Sequence, residues 1–203
     1  MTNIFNQFRV RKTVLEMLRD RGYSISSYDM MDFNQFCEFF PNCVKDTSNL
    51  RIVVHKETEN EKDKTILAYF ADEEKMALKS VKTLLENTYN QGIFHLIIVL
   101  REGISPAGAK FVQDCESLTI TTFIEKELLL NITHHKLVPK HRIISEIEQK
   151  ELLKEKMVKK SEMPKILISD PVAKYFGARK GDIFEIERDS ETASKIKTWR
   201  VTI

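Results

Sequence analysis

Three of the chain's five histidines fall within one short segment, NITHHKLVPKH, which spans residues 131–141. Histidine is the commonest metal ligand and the usual general base near neutral pH. A zinc site needs four ligands with suitable geometry, whereas the adjacent His134 and His135 point to opposite faces of an extended chain. Cys37 and Cys43 have no second pair of cysteines nearby. The sequence therefore predicts no metal site and no cofactor.

A catalytic nucleophile would need a turn that presents it and a base within reach. The sequence contains no G-x-S-x-G, no glycine-rich phosphate loop and no H-E-x-x-H. A metal-dependent nuclease could use Asp63, Glu73 and Glu74 together with Lys75. Carboxylates are nevertheless common in charged loops and at helix starts. We expect no catalytic centre, and we keep a nuclease-like domain and a free-standing interaction adaptor as alternatives.

The stretch ISPAGAKF indicates a different chemistry, namely phosphate contact. Ser105 is a hydroxyl N-cap, and Pro106 suits the first position of a helix. Ala107 and Gly108 place little side-chain bulk over the N–H groups of that helix end, which favours anions. Lys110 follows about one turn later. These five residues are candidate contacts to DNA, and the alternative is a plain helix cap.

The composition is that of a folded protein with one large domain or two small ones. The chain has 203 residues, of which 42% are hydrophobic, so it can form a substantial core. Three cysteines form no C-x-x-C pair, which favours reduced thiols in the nucleus or cytosol. No apolar run approaches the length of a membrane span, and charged residues interrupt the N-terminus, so we expect no membrane association and no signal peptide.

Charge is distributed unevenly along the chain. Residues 1–133 contain 16 Lys and Arg against 19 Asp and Glu, a balance of −3, whereas residues 134–203 contain 16 against 11, a balance of +5. Neither part is basic enough to bind nucleic acid strongly alone, because such binding needs many phosphate contacts from a clustered patch. Any contact with DNA should therefore be local and weak.

The first two thirds of the chain read as a small α/β domain with a partly parallel sheet. Helices are expected where apolar residues recur at helical spacing between capping residues, and strands where β-branched residues cluster. Asp29 and Asp72 are taken as caps of the second and third helices. The predicted helices are 2–21, 29–40, one from Asp72 to about residue 91, and one from Ser105. The predicted strands are 50–56, 65–71, 93–100 and 118–123.

The last 70 residues read as a separate α+β module. Ser145 and Glu148 have the spacing of a capping box, which opens a helix. In SDPVAKYFGARKGD, Asp170 and Pro171 start a second helix, Gly177 ends it, and Gly181 turns the chain into the strand DIFEIER. A final strand runs from about residue 195. We place the boundary near residues 131–134, which gives domains 1–131 and 132–203.

Several segments, taken in order, resemble one known family. They are FRVRKTVLEMLRDRGY, QGIF with ISPAGAKFV, NITHHKLVPKH, MPKILISDPVAKYFGARKGDIFEIER and SETA. Together they are similar to the fifth-subunit family of nuclear RNA polymerases, shared by polymerases I, II and III. The C-terminal part alone resembles a small archaeal RNA polymerase component. Two departures stand out: Ser105 to Gly108 replace the common T-P-S-A, and residues 190–194 lack the family's glycine.

The resemblance implies an α/β N-terminal jaw domain near downstream DNA and a small α+β C-terminal assembly domain, the part shared with archaea. It implies a nuclear, non-catalytic subunit whose partners are the largest subunit, other polymerase subunits and, weakly and without sequence preference, double-stranded DNA. The helix start at residues 105–110 would lie nearest the DNA. The residues implied in assembly are His135, Leu137, Val138, Pro139, Lys140, His141, Asp170, Pro171, Gly177, Gly181, Ser190, Glu191 and Arg200.

Overall fold

The computed structural model describes residues 3–26, 28, 31–58, 60, 63–189 and 195–203. The chain divides into two compact units, Met1–Leu130 and Asn131–Ile203. Both units combine helices with a β-sheet, as the sequence predicted. None of the helices within the described ranges is long and apolar enough to cross a bilayer.

Helix α1 spans Ile4–Asp20 and lies largely within the first unit. The Asn3 side chain caps it by accepting a hydrogen bond from the Phe5 N–H, and it ends at Arg21, before Gly22. Its apolar face is completely buried: Val10, Val14, Met17 and Leu18 are each 0% exposed. Burial of this face, rather than helix propensity, accounts for most of the stability of such an element.

Helix α2 spans Phe33–Phe39 and begins later than expected. Asp32 Oδ1 accepts from the Gln35 N–H at 2.9 Å, and Gln35 Oε1 accepts from the Asp32 N–H at 3.0 Å. This reciprocal capping box fixes the start of the helix. The predicted start at Asp29 was therefore wrong, and Asp29 itself lies outside the described residues.

The first unit is built on a four-stranded sheet in the order β1-β2-β4-β6. Strand β1 pairs antiparallel with β2, whereas β2, β4 and β6 are mutually parallel, so the predicted partly parallel sheet is confirmed. The central strand, β4, is buried from Leu96 to Leu100. The elements are β1 Ile52–His55, β2 Thr65–Phe70, β3 Lys75–Met76, α3 Leu78–Asn90, β4 His95–Leu100, β5 Gly103–Ile104, α4 Pro106–Gln113 and β6 Thr119–Ile124.

Helix α3 does not begin at Asp72. The Asp72 carboxylate accepts from both the N–H and the hydroxyl of Thr47, each at 2.6 Å. The following residues form β3, which pairs with β5 and keeps the chain extended as far as Met76. Glu73 then supplies the missing cap, because its carboxylate accepts from the Ala77 N–H at 3.1 Å. A long-range contact thus displaces the predicted cap.

The second unit is a four-stranded sheet in the order β7-β9-β10-β8. The capping box of Ser145 and Glu148 and the Asp170 cap are present as predicted. Gly177 has φ 65°, a left-handed conformation that favours glycine, and ends the second helix. Strand β7 was predicted only as an extended segment. The elements are β7 Lys140–Ile143, α5 Glu146–Lys156, β8 Lys165–Ile166, α6 Pro171–Phe176, β9 Ile183–Asp189 and β10 Lys195–Thr202.

Alternate residues of β9 face two separate small cores. Ile183 packs with Leu152 of α5, together with Ile144, Met163 and Val201. Phe184 and Ile186 belong to a second cluster with Ala173 of α6 and with Ile166. The period of two along a strand places Ile183 and Phe184 on opposite faces of the sheet. Each helix therefore covers one face.

Candidate functional site

The start of α4 offers fewer free N–H groups than the sequence indicated. Ser105 Oγ accepts from the Gly108 N–H at 3.3 Å, and the Ser105 carbonyl accepts from the Ala109 N–H at 2.8 Å. Pro106 has no N–H to donate. Among the described residues, this leaves the Ala107 N–H as the donor of the first turn without a protein partner. The expectation of several open donors was wrong.

Gly108 is buried and faces the interior of the first unit. A Cβ atom built on it would lie 2.7 Å from Ile104 Cγ2 and 3.4 Å from Val81 Cγ2. Its small size therefore lets α4 approach α3 and β5, rather than opening the surface to a phosphate. Pro106, Ala107 and Lys110 are exposed, and Ser105 is half-buried.

The residues weighed for a nuclease do not come together. Asp63 precedes β2, where its carboxylate Oδ1 lies 2.6 Å from His95 Nε2. Glu73, Glu74 and Lys75 follow the end of the same strand. The six residues of β2 lie between these positions and span about 20 Å. In addition, the Glu73 carboxylate is used as the helix cap of α3.

The segment 131–141 is held by local hydrogen bonds. Asn131 Oδ1 accepts from the Thr133 N–H at 3.0 Å, and Asn131 Nδ2 donates to Tyr175 Oη at 3.0 Å. His135 Nδ1 accepts from the Leu137 N–H at 3.2 Å. No group of three or more His, Cys, Asp or Glu side chains in the described part of the chain is placed to hold a metal ion.

His141 differs from His134 and His135 because its ring packs in the second unit and is half-buried. Its Nδ1 lies 2.7 Å from the Pro139 carbonyl, so this nitrogen donates, and the ring meets Phe184 edge-on with 5.9 Å between centroids. Burial lowers the pKa of His141. The Pro139 carbonyl and Asp170 oppose this shift, whereas Arg188 and Arg200 add to it. The fold therefore favours the neutral ring.

This preference predicts a loss of stability at acidic pH. Because the pKa of His141 is lower in the folded than in the unfolded chain, its contribution is fully present above the unfolded value of about 6.5 and declines as pH falls toward the folded value. The His141→Phe variant keeps an aromatic contact with Phe184 but does not titrate. Its melting temperature should fall less than that of the wild type between pH 7.5 and pH 5.5, measured by calorimetry.

The exposed His135 supplies the control for this comparison. His135→Phe should keep the pH dependence of the wild type. If the His141→Phe chain loses as much stability over this pH range as the wild type, His141 is not responsible.

The other residues expected in assembly have roles in shaping the fold. Asp170 Oδ1 accepts from the Val172 N–H at 2.9 Å, and Pro171 begins α6. Gly181 has φ 90° and precedes β9, and Arg200 is half-buried in β10. Ser190 and Glu191 lie outside the described residues.

An open groove that the sequence did not reveal lies beside the segment 136–140. Its lining includes Lys136 to Lys140 and, from β9 and β10, Glu187, Arg188 and Lys195. Leu137 is 84% exposed here. The Lys195 ammonium bonds to the Glu187 carboxylate and lowers its pKa. The register that brings these strands together was the missing information.

Comparison with known proteins identifies the family. Two family models match, "RNA polymerase Rpb5, N-terminal domain" over residues 2–88 and "RNA polymerase Rpb5, C-terminal domain" over residues 130–202. A protein of Dictyostelium discoideum is 34% identical over 207 residues, covering 100% of both chains. Proteins of Caenorhabditis briggsae and Caenorhabditis elegans are each 32% identical, covering 98% of this chain and 96% of theirs.

All three relatives are named "DNA-directed RNA polymerases I, II, and III subunit RPABC1", with the last word in lower case for the Dictyostelium protein. The matches span both compact units and nearly every residue of the chain. The resemblance carried by the sequence motifs is thereby confirmed. This chain belongs to the RNA polymerase Rpb5 family.

Proposed function

We propose that this chain is a non-catalytic nuclear subunit shared by DNA-directed RNA polymerases I, II and III. The observation that carries the proposal is the 34% identity, over the whole length of both chains, with a relative of that name. The separation of the acidic candidates along β2 supports the absence of an active site, because a two-metal nuclease needs its carboxylates close together. The local hydrogen bonds of His135 and His141 support it too.

Purification of a tagged chain from nuclear extract tests this proposal. The largest subunits of all three polymerases should co-purify in amounts comparable to the chain, and most of the chain should sediment with them. A chain that sediments mainly alone would indicate a free-standing adaptor. DNA cleavage by the purified chain with magnesium or manganese would instead indicate a nuclease.

The second unit acts as the assembly domain and docks on the largest subunit. Its two small cores leave large apolar side chains at the surface, as expected of a module that is completed by a partner. Leu137 is 84% exposed, Leu167 58% and Ile203 43%. Pro139 restricts the backbone beside Leu137, which lowers the entropy lost when that segment is ordered against a neighbour.

The first unit acts as the jaw and helps to guide downstream DNA. The exposed side of the α4 start carries the open N–H of Ala107 and the exposed cation of Lys110. Such a surface can approach phosphates but cannot read bases. The net charge of −3 over residues 1–133 fits guidance better than tight binding.

Lys110→Glu should weaken retention of downstream DNA in the assembled polymerase. Because only one exposed charge changes, we expect a modest decrease in elongation-complex half-life, on the order of twofold to fivefold at low salt. The decrease should shrink as salt rises and should be similar for different DNA sequences. The measurement is complex stability on templates with and without a downstream duplex, across a salt series.

Lys79→Glu is a matched control, because Lys79 is also exposed but lies on α3. If Lys110→Glu leaves stability unchanged at low salt when downstream duplex is present, the α4 start is only a helix cap.

A further inference from the structure

The groove beside residues 136–140 has a strongly positive lining. Lys136, Lys140, Arg188 and Lys195 contribute four cations, whereas Glu187 contributes one carboxylate, which gives +3 for the described lining residues. The carboxylate is already bonded to Lys195. The groove therefore favours a negatively charged occupant.

The same lining carries apolar side chains between the cations. Leu137 is 84% exposed, and Val138 and Pro139 are half-buried beside it. A free phosphate or a nucleic-acid backbone would leave these side chains uncovered. A polypeptide that alternates acidic and apolar residues would cover the leucine and pair with the lysines at once.

Strand β7 adds a backbone template to this surface. It lies at one edge of its sheet, and β9 is its neighbour among the described strands. The Ile144 N–H donates to the Ile183 carbonyl at 3.1 Å, so residues 144 and 183 form a hydrogen-bonded pair. The alternation of an antiparallel ladder then turns the backbone of His141 and Ile143 away from β9. An added strand could bond to both residues.

We propose that β7 and the adjoining groove receive an extended acidic segment of a polymerase subunit, which adds a strand to the sheet edge. The cations of the groove select the acidic side chains, Leu137 takes an apolar one, and the backbones of His141 and Ile143 set the register. This inference rests on the proposed function, since it specifies the kind of segment that the assembly domain binds. Residues 190–194, which lie outside the described ranges, are not needed for it.

The first test uses the complete free chain and defined peptides. The probe is a blocked peptide of about six residues, the usual strand length, in which glutamate alternates with valine, and its counterpart has glutamine in place of glutamate. The glutamate peptide should bind at least about tenfold more tightly, and salt should weaken it. It should also slow amide exchange at His141 and Ile143, observed by NMR.

A triple variant with a matched control tests the groove. Lys136→Glu, Lys140→Glu and Arg188→Glu together should lower affinity for the glutamate peptide roughly tenfold or more. Lys150→Glu, Lys154→Glu and Lys180→Glu make the same change in net charge at exposed positions outside the groove, and should preserve binding. Equal loss in the two variants would overturn the proposal.

The second test uses the assembled polymerase and the wild-type chain, so that it does not depend on a variant folding. His141 and Ile143 amides should exchange more slowly in the complex than in the free chain, and a photo-reactive group at Leu137 should cross-link to an acidic segment. If the chain assembles but these amides exchange as in the free protein, the proposal fails while the proposed function stands. If the chain does not assemble at all, the proposed function fails, and the peptide experiment still decides the inference.

Two other results would overturn the proposal by identifying a different occupant. Tighter binding of single-stranded oligothymidine than of the glutamate peptide would show that the groove serves nucleic acid. Protection of His141 and Ile143 that rises with the concentration of the free chain would show that a second copy is the occupant.

Discussion

Residues 131–203 alone are expected to enter RNA polymerase, whereas residues 1–130 alone are not. The second unit has its own sheet and two cores, so the fragment retains the contacts that fold it. The fragment should begin at Asn131, because this side chain bonds to both Thr133 and Tyr175. The exposed apolar residues and the groove beside β7 provide the docking surface.

The measurement is recovery of the largest subunit with each tagged fragment. The C-terminal fragment should recover it at a level comparable to the full chain, and the N-terminal fragment should recover only background. Circular dichroism of both fragments is the control, since an unfolded N-terminal fragment would give the same background. Equal recovery by two folded fragments would contradict the assignment of assembly to the second unit.

Gly108→Val should lower the free energy of unfolding by about 1–3 kcal/mol, the usual cost of overpacking a well-packed site. A Cβ at this position would lie 2.7 Å from Ile104 Cγ2, closer than atoms in contact can come. The γ-methyl groups of valine require further space in the same direction as Val81. The expected result is therefore displacement of α4 from α3, measured as a lower midpoint of urea unfolding.

Ala107→Val is the matched control. It introduces the same side chain one residue earlier in α4, where the position is exposed. The control should change stability by roughly 0.5 kcal/mol or less, as is usual for surface substitutions. If the two variants are equally stable, Gly108 does not fix the approach of the two helices.

The variants of α4 also separate the roles of its first turn. Gly108→Val should affect retention of downstream DNA indirectly, through displacement of the helix. Lys110→Glu should affect it without a change in the free energy of unfolding, because Lys110 is exposed. A stable Lys110 variant with weak DNA retention would therefore identify a contact rather than a folding defect.

The sequence by itself determined the elements whose signals are local. Ser145 and Glu148 lie three residues apart, and Asp170, Pro171 and Gly177 bound a helix of six residues. Capping hydrogen bonds, a fixed proline φ and a left-handed glycine act within one or two turns, so their residues can be recognised without a fold. The order of the motifs also identified the family, which the comparisons confirmed.

Only the tertiary structure decided which partner each remaining residue takes. Asp72 looked like a helix cap but bonds to Thr47, which lies 25 residues earlier in the chain. Arg11 carries a charge, yet it is 4% exposed and lies 5.0 Å from the Phe40 ring centroid. Lys140 shares a groove with Arg188. In each case the competing partners are distant in sequence, and strand register and helix packing choose between them, because a buried polar group or a close contact is stable only where its surroundings match it.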